Sequence, residues 1–220
     1  MGTSSPLSPA ENEWDAERVR DWVVANAKPL AFGIGIVVVA GAGFAFWRQS
    51  VQLKNDRANT AFATAQGAYY SGNTALAKSD LEKLVTRYPG TQGATQAGML
   101  LAQLLYGESK HDDAIKTLTS LQGGAPSQFA ASLEELIAAG YADSNRPALA
   151  AEHLLKAAGK ARFTADQQLY RADAARFLSA AGKTDEARKI WAELADIPDS
   201  PASTEARIRM GELSAKEATP

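Results

Sequence analysis

Between Lys28 and Arg48 the chain runs from Pro29 to Trp47 without one ionisable side chain: PLAFGIGIVVVAGAGFAFW. As a helix this run would span about 28 Å, close to the ~30 Å hydrocarbon thickness of a bilayer. Lys28 and Arg48 bracket it, and Trp22 and Trp47 lie near its two ends, where an interfacial aromatic belt would place them. A core helix of a soluble domain seldom runs this far without a polar face. A cleaved signal peptide is the other alternative, with Gly43-Phe44-Ala45 as a small-x-small site. The leader, however, is long and acidic, where a signal peptide starts short and basic. The run is expected to be a single transmembrane helix.

Charge divides unevenly around it. Residues 1–28 carry Arg18, Arg20 and Lys28 against Glu11, Glu13, Asp15, Glu17 and Asp21. Residues 48–220 are balanced, within a chain of net charge −2. A nucleic-acid binder would show a basic stripe, and none is present. There is no cysteine, which removes disulfides, thiol catalysis and zinc–thiolate sites together. Near the run's ends Arg18, Arg20 and Lys28 stand against Arg48, Lys54 and Arg57, so the positive-inside rule is a tie. Ala27, Ala31, Gly35 and Gly43, with Val39 between the last two, fall along one helix face. Small residues there admit a close neighbouring backbone, although Gly and Ala are also common in membrane helices. Residues 1–10 are Ser/Pro-rich and expected to be disordered. Asn12 to Ala27 reads as a short helix with Trp14, Val19, Trp22 and Val23 toward one side.

Beyond residue 50 the pattern is helical, with turn signals at intervals and no sustained period-two run. The segments repeat. Ala77, Ala114, Ala151 and Ala187 are spaced 37, 37 and 36. Four residues after each stands Leu81, Leu118, Leu155 or Trp191; seven after stands Leu84, Leu121, Ala158 or Leu194. Twelve before stands Ala65, Ala102, Ala139 or Ala175. One unit is therefore helix A, a turn, and helix B, with an alanine in each helix at their crossing. A lone hairpin cannot bury its apolar face, so hairpins stack. Arg207, Ile208, Met210 and Leu213 mark a closing helix. The third unit is the weakest, with Ala158 where a leucine is expected.

A small residue at the turn with an alanine five later resembles tetratricopeptide repeats. Gly72 to Ala77 and Gly182 to Ala187 fit, Ser109 to Ala114 fits loosely, and Arg146 to Ala151 departs. Three stretches resemble the YfgM-type family of bacterial membrane-anchored tetratricopeptide proteins, ancillary subunits of the SecYEG translocon. They are Asp21-Trp22-Val23-Val24-Ala25-Asn26-Ala27-Lys28 with the glycine-rich span to Arg48, the repeats from Ala58, and the tail from Ala187 to Leu213. The resemblance implies a bacterial inner-membrane protein with its N-terminus cytoplasmic and its repeats periplasmic, and so breaks the charge tie. The expected fold is all-α. It has an N-terminal segment (1–28), a transmembrane helix (29–47) and a tetratricopeptide-like α-hairpin solenoid of about four repeats plus a terminal helix (48–220).

Catalytic and ligand signatures are not found. His111 stands before Asp112 and Asp113 and reads as a solvated helix start; His153 reads as a helix-surface residue. Gly33-x-Gly35 and Gly41-x-Gly43 lie in the apolar run, where glycine has a packing reason. Adjacent Glu134 and Glu135 point about 100° apart on a helix and make no acid/base couple. No cofactor, metal, nucleic acid or small-molecule substrate is expected. Function is expected on the helix-A face, with Gln66, Tyr69, Tyr70, Gln103, Tyr106, Tyr141, Arg171 and Arg176 as partner-binding candidates. Tyrosine and arginine are typical interface anchors, and tyrosines packed between repeats are the plainer alternative. The leading reading is a membrane-anchored protein-interaction scaffold, an ancillary subunit linked by resemblance to the Sec translocon and periplasmic chaperones. A structural accessory subunit of another large membrane complex, energy-transducing or photosynthetic, is the second; an enzyme is the third.

Overall fold

The computed structural model describes residues 16–217, so the Ser/Pro-rich start and Trp14 lie outside the described residues. Among the described residues every regular element is helical. The helices are α1 (Ala16–Ala25), α2 (Ala27–Tyr70), α3 (Thr74–Arg87), α4 (Gln92–Gly107), α5 (His111–Leu121), α6 (Ala130–Asp143), α7 (Pro147–Lys160), α8 (Thr164–Ala180), α9 (Thr184–Ala195) and α10 (Ser203–Glu217). A 3₁₀ turn, Ser127–Phe129, precedes α6. The chain divides into two compact units, Met1–Gln52 and Leu53–Pro220.

In the first unit the apolar run lies within α2, which does not stop at Trp47 but continues to Tyr70. Among the described residues nothing covers the apolar window of this helix. Phe32, Val37, Val39 and Phe46 are all at least 70% exposed. By length and composition the helix can cross a membrane. A soluble core helix with the same composition would be buried. Gly35 and Gly43 have nothing within 4 Å of where a Cβ would stand.

The second unit is four A–B hairpins closed by α10. Helix A of the first repeat is the end of α2, followed by α4, α6 and α8; helix B is α3, α5, α7 and α9. Each A–B turn is built the same way. Gly72, Ser109, Asn145 and Gly182 have φ of 81°, 59°, 57° and 77°. The N–H groups of the next residues, Asn73, Lys110, Arg146 and Lys183, donate to Ala68, Leu105, Tyr141 and Leu178 carbonyls at 2.8–2.9 Å. This is the Schellman closure, in which one left-handed residue lets the turn satisfy the last helical carbonyls. Glycine takes that conformation freely, and asparagine tolerates it better than most residues.

These turns correct the repeat register. The left-handed residues are spaced 37, 36 and 37, so the third unit is anchored by Asn145 and Ala150, not by Arg146 and Ala151. Ala77, Ala114, Ala150 and Ala187 are each fully buried. Their helix-A partners are Ala65, Ala102, Ala138 and Ala175, all at most 2% exposed, whereas Ala139 faces outward. Four residues on stand Leu81, Leu118, Leu154 and Trp191, all buried, while Leu155 is 40% exposed. Ala151 and Ala158 are buried too, because a tightly packed alanine-rich helix buries two adjacent columns. That double column hid the one-residue slip. The unit that looked most degenerate is regular once shifted, with Ala157 at the Leu84, Leu121 and Leu194 position.

Close approach also governs the contact between hairpins. A Cβ at Gly93 would lie 2.6 Å from the Ala58 backbone, so α4 meets α2 where neither side chain intervenes. A Cβ at Gly98 would lie 2.4 Å from Leu121 of helix B. One repeat later, the position of Gly98 holds Glu134, which is 2% exposed. Its carboxylate meets His153 Nδ1 at 2.7 Å and accepts a hydrogen bond from Lys160 Nζ. Burial pushes this carboxyl up, but the Lys160 and His153 bonds outweigh it and hold it below the usual glutamate range. The ring of His153 stacks on Tyr141 at 5.2 Å. His153 is thus an internal helix A–helix B contact and not a surface residue. His111 is likewise stacked on Tyr106, at 6.0 Å, with a buried Nδ1 that has no hydrogen-bond partner among the described residues.

Two outcomes check this fold. Ala138→Leu should destabilise the repeats by about 1–3 kcal/mol through overpacking, while Ala139→Leu stays within ~0.5 kcal/mol; the reverse order in denaturant unfolding would restore the unshifted register. Glu134→Ala should cost about 1–3 kcal/mol near pH 7 by leaving Lys160 and His153 without their acceptor. Because the folded carboxyl titrates below its unfolded value, its stabilisation is present above the ordinary glutamate range and is lost as pH falls through the folded value. The gap between wild type and Glu134→Ala should therefore narrow in acid, and a gap that widens there contradicts the assignment.

Candidate functional site

Helix A of the first two repeats presents one continuous stripe. Phe62, Gln66, Tyr69 and Tyr70 follow at i, i+4, i+7 and i+8 on α2; Gln96, Met99, Leu100 and Gln103 follow at i, i+3, i+4 and i+7 on α4. Together with Phe129 they line a groove of about 440 Å³. Its floor is apolar: Phe62, Met99, Leu100 and Phe129 are half-buried against the core beneath. Its polar groups are amides and phenols. Tyr69 and Tyr70 contact one another with ring centroids 5.4 Å apart, and Tyr70 is 76% exposed. The amides of Gln66, Gln96 and Gln103 and the two hydroxyls make no hydrogen bond among the described residues. No residue lining the groove is ionisable at neutral pH.

Gln66, Tyr69, Tyr70 and Gln103 are thus brought together. The other four candidates are engaged within the fold. The Tyr106 hydroxyl donates to the Leu136 carbonyl at 2.7 Å, and burial pushes it up to about 12. Gly140 makes room for it, since a Cβ there would stand 2.5 Å from the hydroxyl. Tyr141 occupies the interior position of Leu105 and Leu178, with the Arg146 guanidinium 4.7 Å from its ring centre. Arg171 pairs with Glu193. Arg176 donates through Nε to Glu205 at 2.8 Å and also pairs with Asp173. Sequence reasoning missed Phe62, Gln96, Met99 and Leu100, although helical spacing from Gln66 and Gln103 reaches them. Phe129 had no such signal, because it reaches the groove from a 3₁₀ turn outside the helix period.

Two other concavities are chemically different. One of about 460 Å³ lies among α3, α4 and α5 and is lined by Lys78, Glu82, Lys110, Asp113 and Lys116 with neutral neighbours. Two of its three lysines are matched: Lys78 and Lys110 each meet Glu108 at 2.7 Å. Hydrogen bonds from Lys110 and then Lys78 pull the Glu108 carboxyl down to about 2. A smaller one, about 210 Å³, lies over Trp191 beside Arg176, Arg209 and Glu212. Arg209 meets Glu212 at 2.9 Å. Among the described residues no group of three or more His, Asp or Glu is placed to hold a metal ion. The groove on α2 and α4 is distinguished by a lining of amides, phenols and apolar side chains with no charged residue.

No curated protein matches the chain. The tetratricopeptide repeat-like domain family matches residues 20–195, from within α1 to the end of α9. The stacked A–B hairpins with alanine at each crossing agree with that match, which covers most of the sequence. The chain belongs to the tetratricopeptide repeat-like domain family.

Proposed function

We propose that this protein is a membrane-anchored scaffold whose repeats recruit other proteins. The repeat fold is itself one that typically serves protein interaction. The observation that carries the reading is the α2–α4 groove, where two tyrosine hydroxyls and three glutamine amides stand without hydrogen-bond partners among the described residues over an apolar floor. Gln66, Tyr69, Tyr70 and Gln103 are its recognition residues. The uncovered apolar helix supports anchoring. Residues 29–47 form the span, 1–28 remain on one side and 48–220 form the repeat domain on the other. The YfgM-type resemblance supports an inner-membrane location, with the N-terminus cytoplasmic, the repeats periplasmic, and the Sec translocon or a periplasmic chaperone as partner.

Purification of the full chain in mild detergent, with mass spectrometry of stoichiometric companions, tests this. Translocon subunits or a periplasmic chaperone are expected. An energy-transducing or photosynthetic complex would make the protein an accessory subunit of that assembly, and recovery of no companion would end the scaffold reading. Reporter fusions after Arg57 should be active on the extracytoplasmic side; cytoplasmic activity reverses the topology. Gly35→Leu should reduce companion recovery in part while insertion stays normal, because a leucine there holds a neighbouring helix backbone away. Full recovery would make the span a plain tether.

A further inference from the structure

The helix-A face is not chemically uniform along the repeats. With the corrected register, Gln66, Gln103, Ala139 and Arg176 occupy one repeat position, and Gln96, Ser132 and Leu169 another. Met99 and Leu100 become Glu135 and Leu136 in the third repeat, and Leu100 becomes Asp173 in the fourth. The change is from uncharged to charged, and the charged groups are already satisfied. Glu135 accepts from the Tyr170 hydroxyl at 2.8 Å, and Arg176 is held between Asp173 and Glu205. In the groove of the first two repeats the polar groups are the amides of Gln66, Gln96 and Gln103 and the hydroxyls of Tyr69 and Tyr70, with no hydrogen-bond partner among the described residues.

That contrast identifies an occupant. A primary amide carries both a donor and an acceptor, as does each peptide unit of an extended chain, so a row of glutamines can bond a backbone whatever its sequence. An apolar floor receives the side chains on the facing side of such a chain, which alternate in direction along it. A charged side chain or a terminal carboxylate would find no counter-ion in this groove and would lose its hydration there. We propose that the groove of the first two repeats binds an uncharged, apolar segment of extended polypeptide by its backbone, and that the third and fourth repeats take no part in this recognition. The proposal rests on the scaffold reading and adds the chemistry of what is held. It implies a client in non-native form, since a folded protein rarely exposes such a segment.

The test uses the full chain in lipid nanodiscs and fluorescence anisotropy of labelled peptides, with empty nanodiscs as control. The probe is a short peptide of Leu, Phe, Ser and Gly with blocked termini; two analogues replace its Ser with Glu or with Lys. The uncharged peptide should bind saturably, and both analogues should bind at least about tenfold more weakly through unpaired charge in the groove. Gln66→Ala with Gln103→Ala should weaken it by about tenfold, two neutral hydrogen bonds being lost, while Arg176→Ala leaves it unchanged. Gln103→Lys should shift preference toward the Glu analogue. Circular dichroism of each variant checks that the helices are intact. Equal binding of all three peptides, binding no stronger than to empty nanodiscs, or a loss with Arg176→Ala matching that of the glutamine pair would overturn the proposal. Failure here with companions still recovered in detergent would remove the uncharged-peptide inference and leave the scaffold standing; absence of companions would remove the scaffold itself.

Discussion

The left-handed turn residue between helix A and helix B is the constraint on which the repeat domain depends. One residue at positive φ lets a turn N–H reach back to the carbonyl near the end of helix A, as Asn73, Lys110, Arg146 and Lys183 do. The closure fixes how many residues separate the alanine of helix A from that of helix B. With both alanines at the crossing and almost wholly buried, the helix axes approach closely, and the leucine or tryptophan one turn later fills what remains. In the first two units a slip of one residue in either helix would present a larger side chain at the crossing.

Within that frame the repeats vary where variation is tolerated. The helix A position at Gly98, which cannot accept a Cβ without moving Leu121, becomes Glu134 in the third unit. A buried carboxylate is costly unless it is bonded, and His153 and Lys160 supply the bonds. Tyr106 over Gly140 is a second local solution, a large residue opposite a missing side chain. These interior exchanges keep the hairpin spacing, and the outward helix-A positions vary separately, from Gln66 and Gln103 to Ala139 and Arg176. An uncharged groove at one end and an ion-paired face at the other therefore coexist on one scaffold.

The two units meet different solvents in the functional reading. In that reading the apolar helix, uncovered among the described residues, would have its exposure satisfied by lipid, which supplies no hydrophobic drive for association. The repeats bury their apolar columns in water and leave polar, aromatic groups for a partner. Recognition by backbone bonds over an apolar floor would tolerate many sequences.

Much of this was legible in the sequence, for physical reasons. Pro29 to Trp47 carries no charge, and a helix period with alanine every 36 or 37 residues admits few folds besides stacked hairpins. The four-hairpin count and the closing helix followed from that period, which placed Gln66, Tyr69, Tyr70 and Gln103 on helix A together with Tyr106, Tyr141, Arg171 and Arg176. What only tertiary structure decided was which of two adjacent alanines faces the crossing, Ala150 or Ala151, since alanine-rich helices make neighbouring columns equivalent in composition. It also decided that Tyr106, Tyr141, Arg171 and Arg176 are engaged with other residues of the fold, that Glu134 is buried, and that Phe129 closes the groove from a 3₁₀ turn. Tyr106, Glu134, Arg171 and Arg176 depend on partners 19 to 30 residues away, Tyr141 on Arg146 and His153, and Phe129 on a turn outside the helical period. Local periodicity records which face a residue occupies, but a contact made across helices is set by how closely their backbones approach.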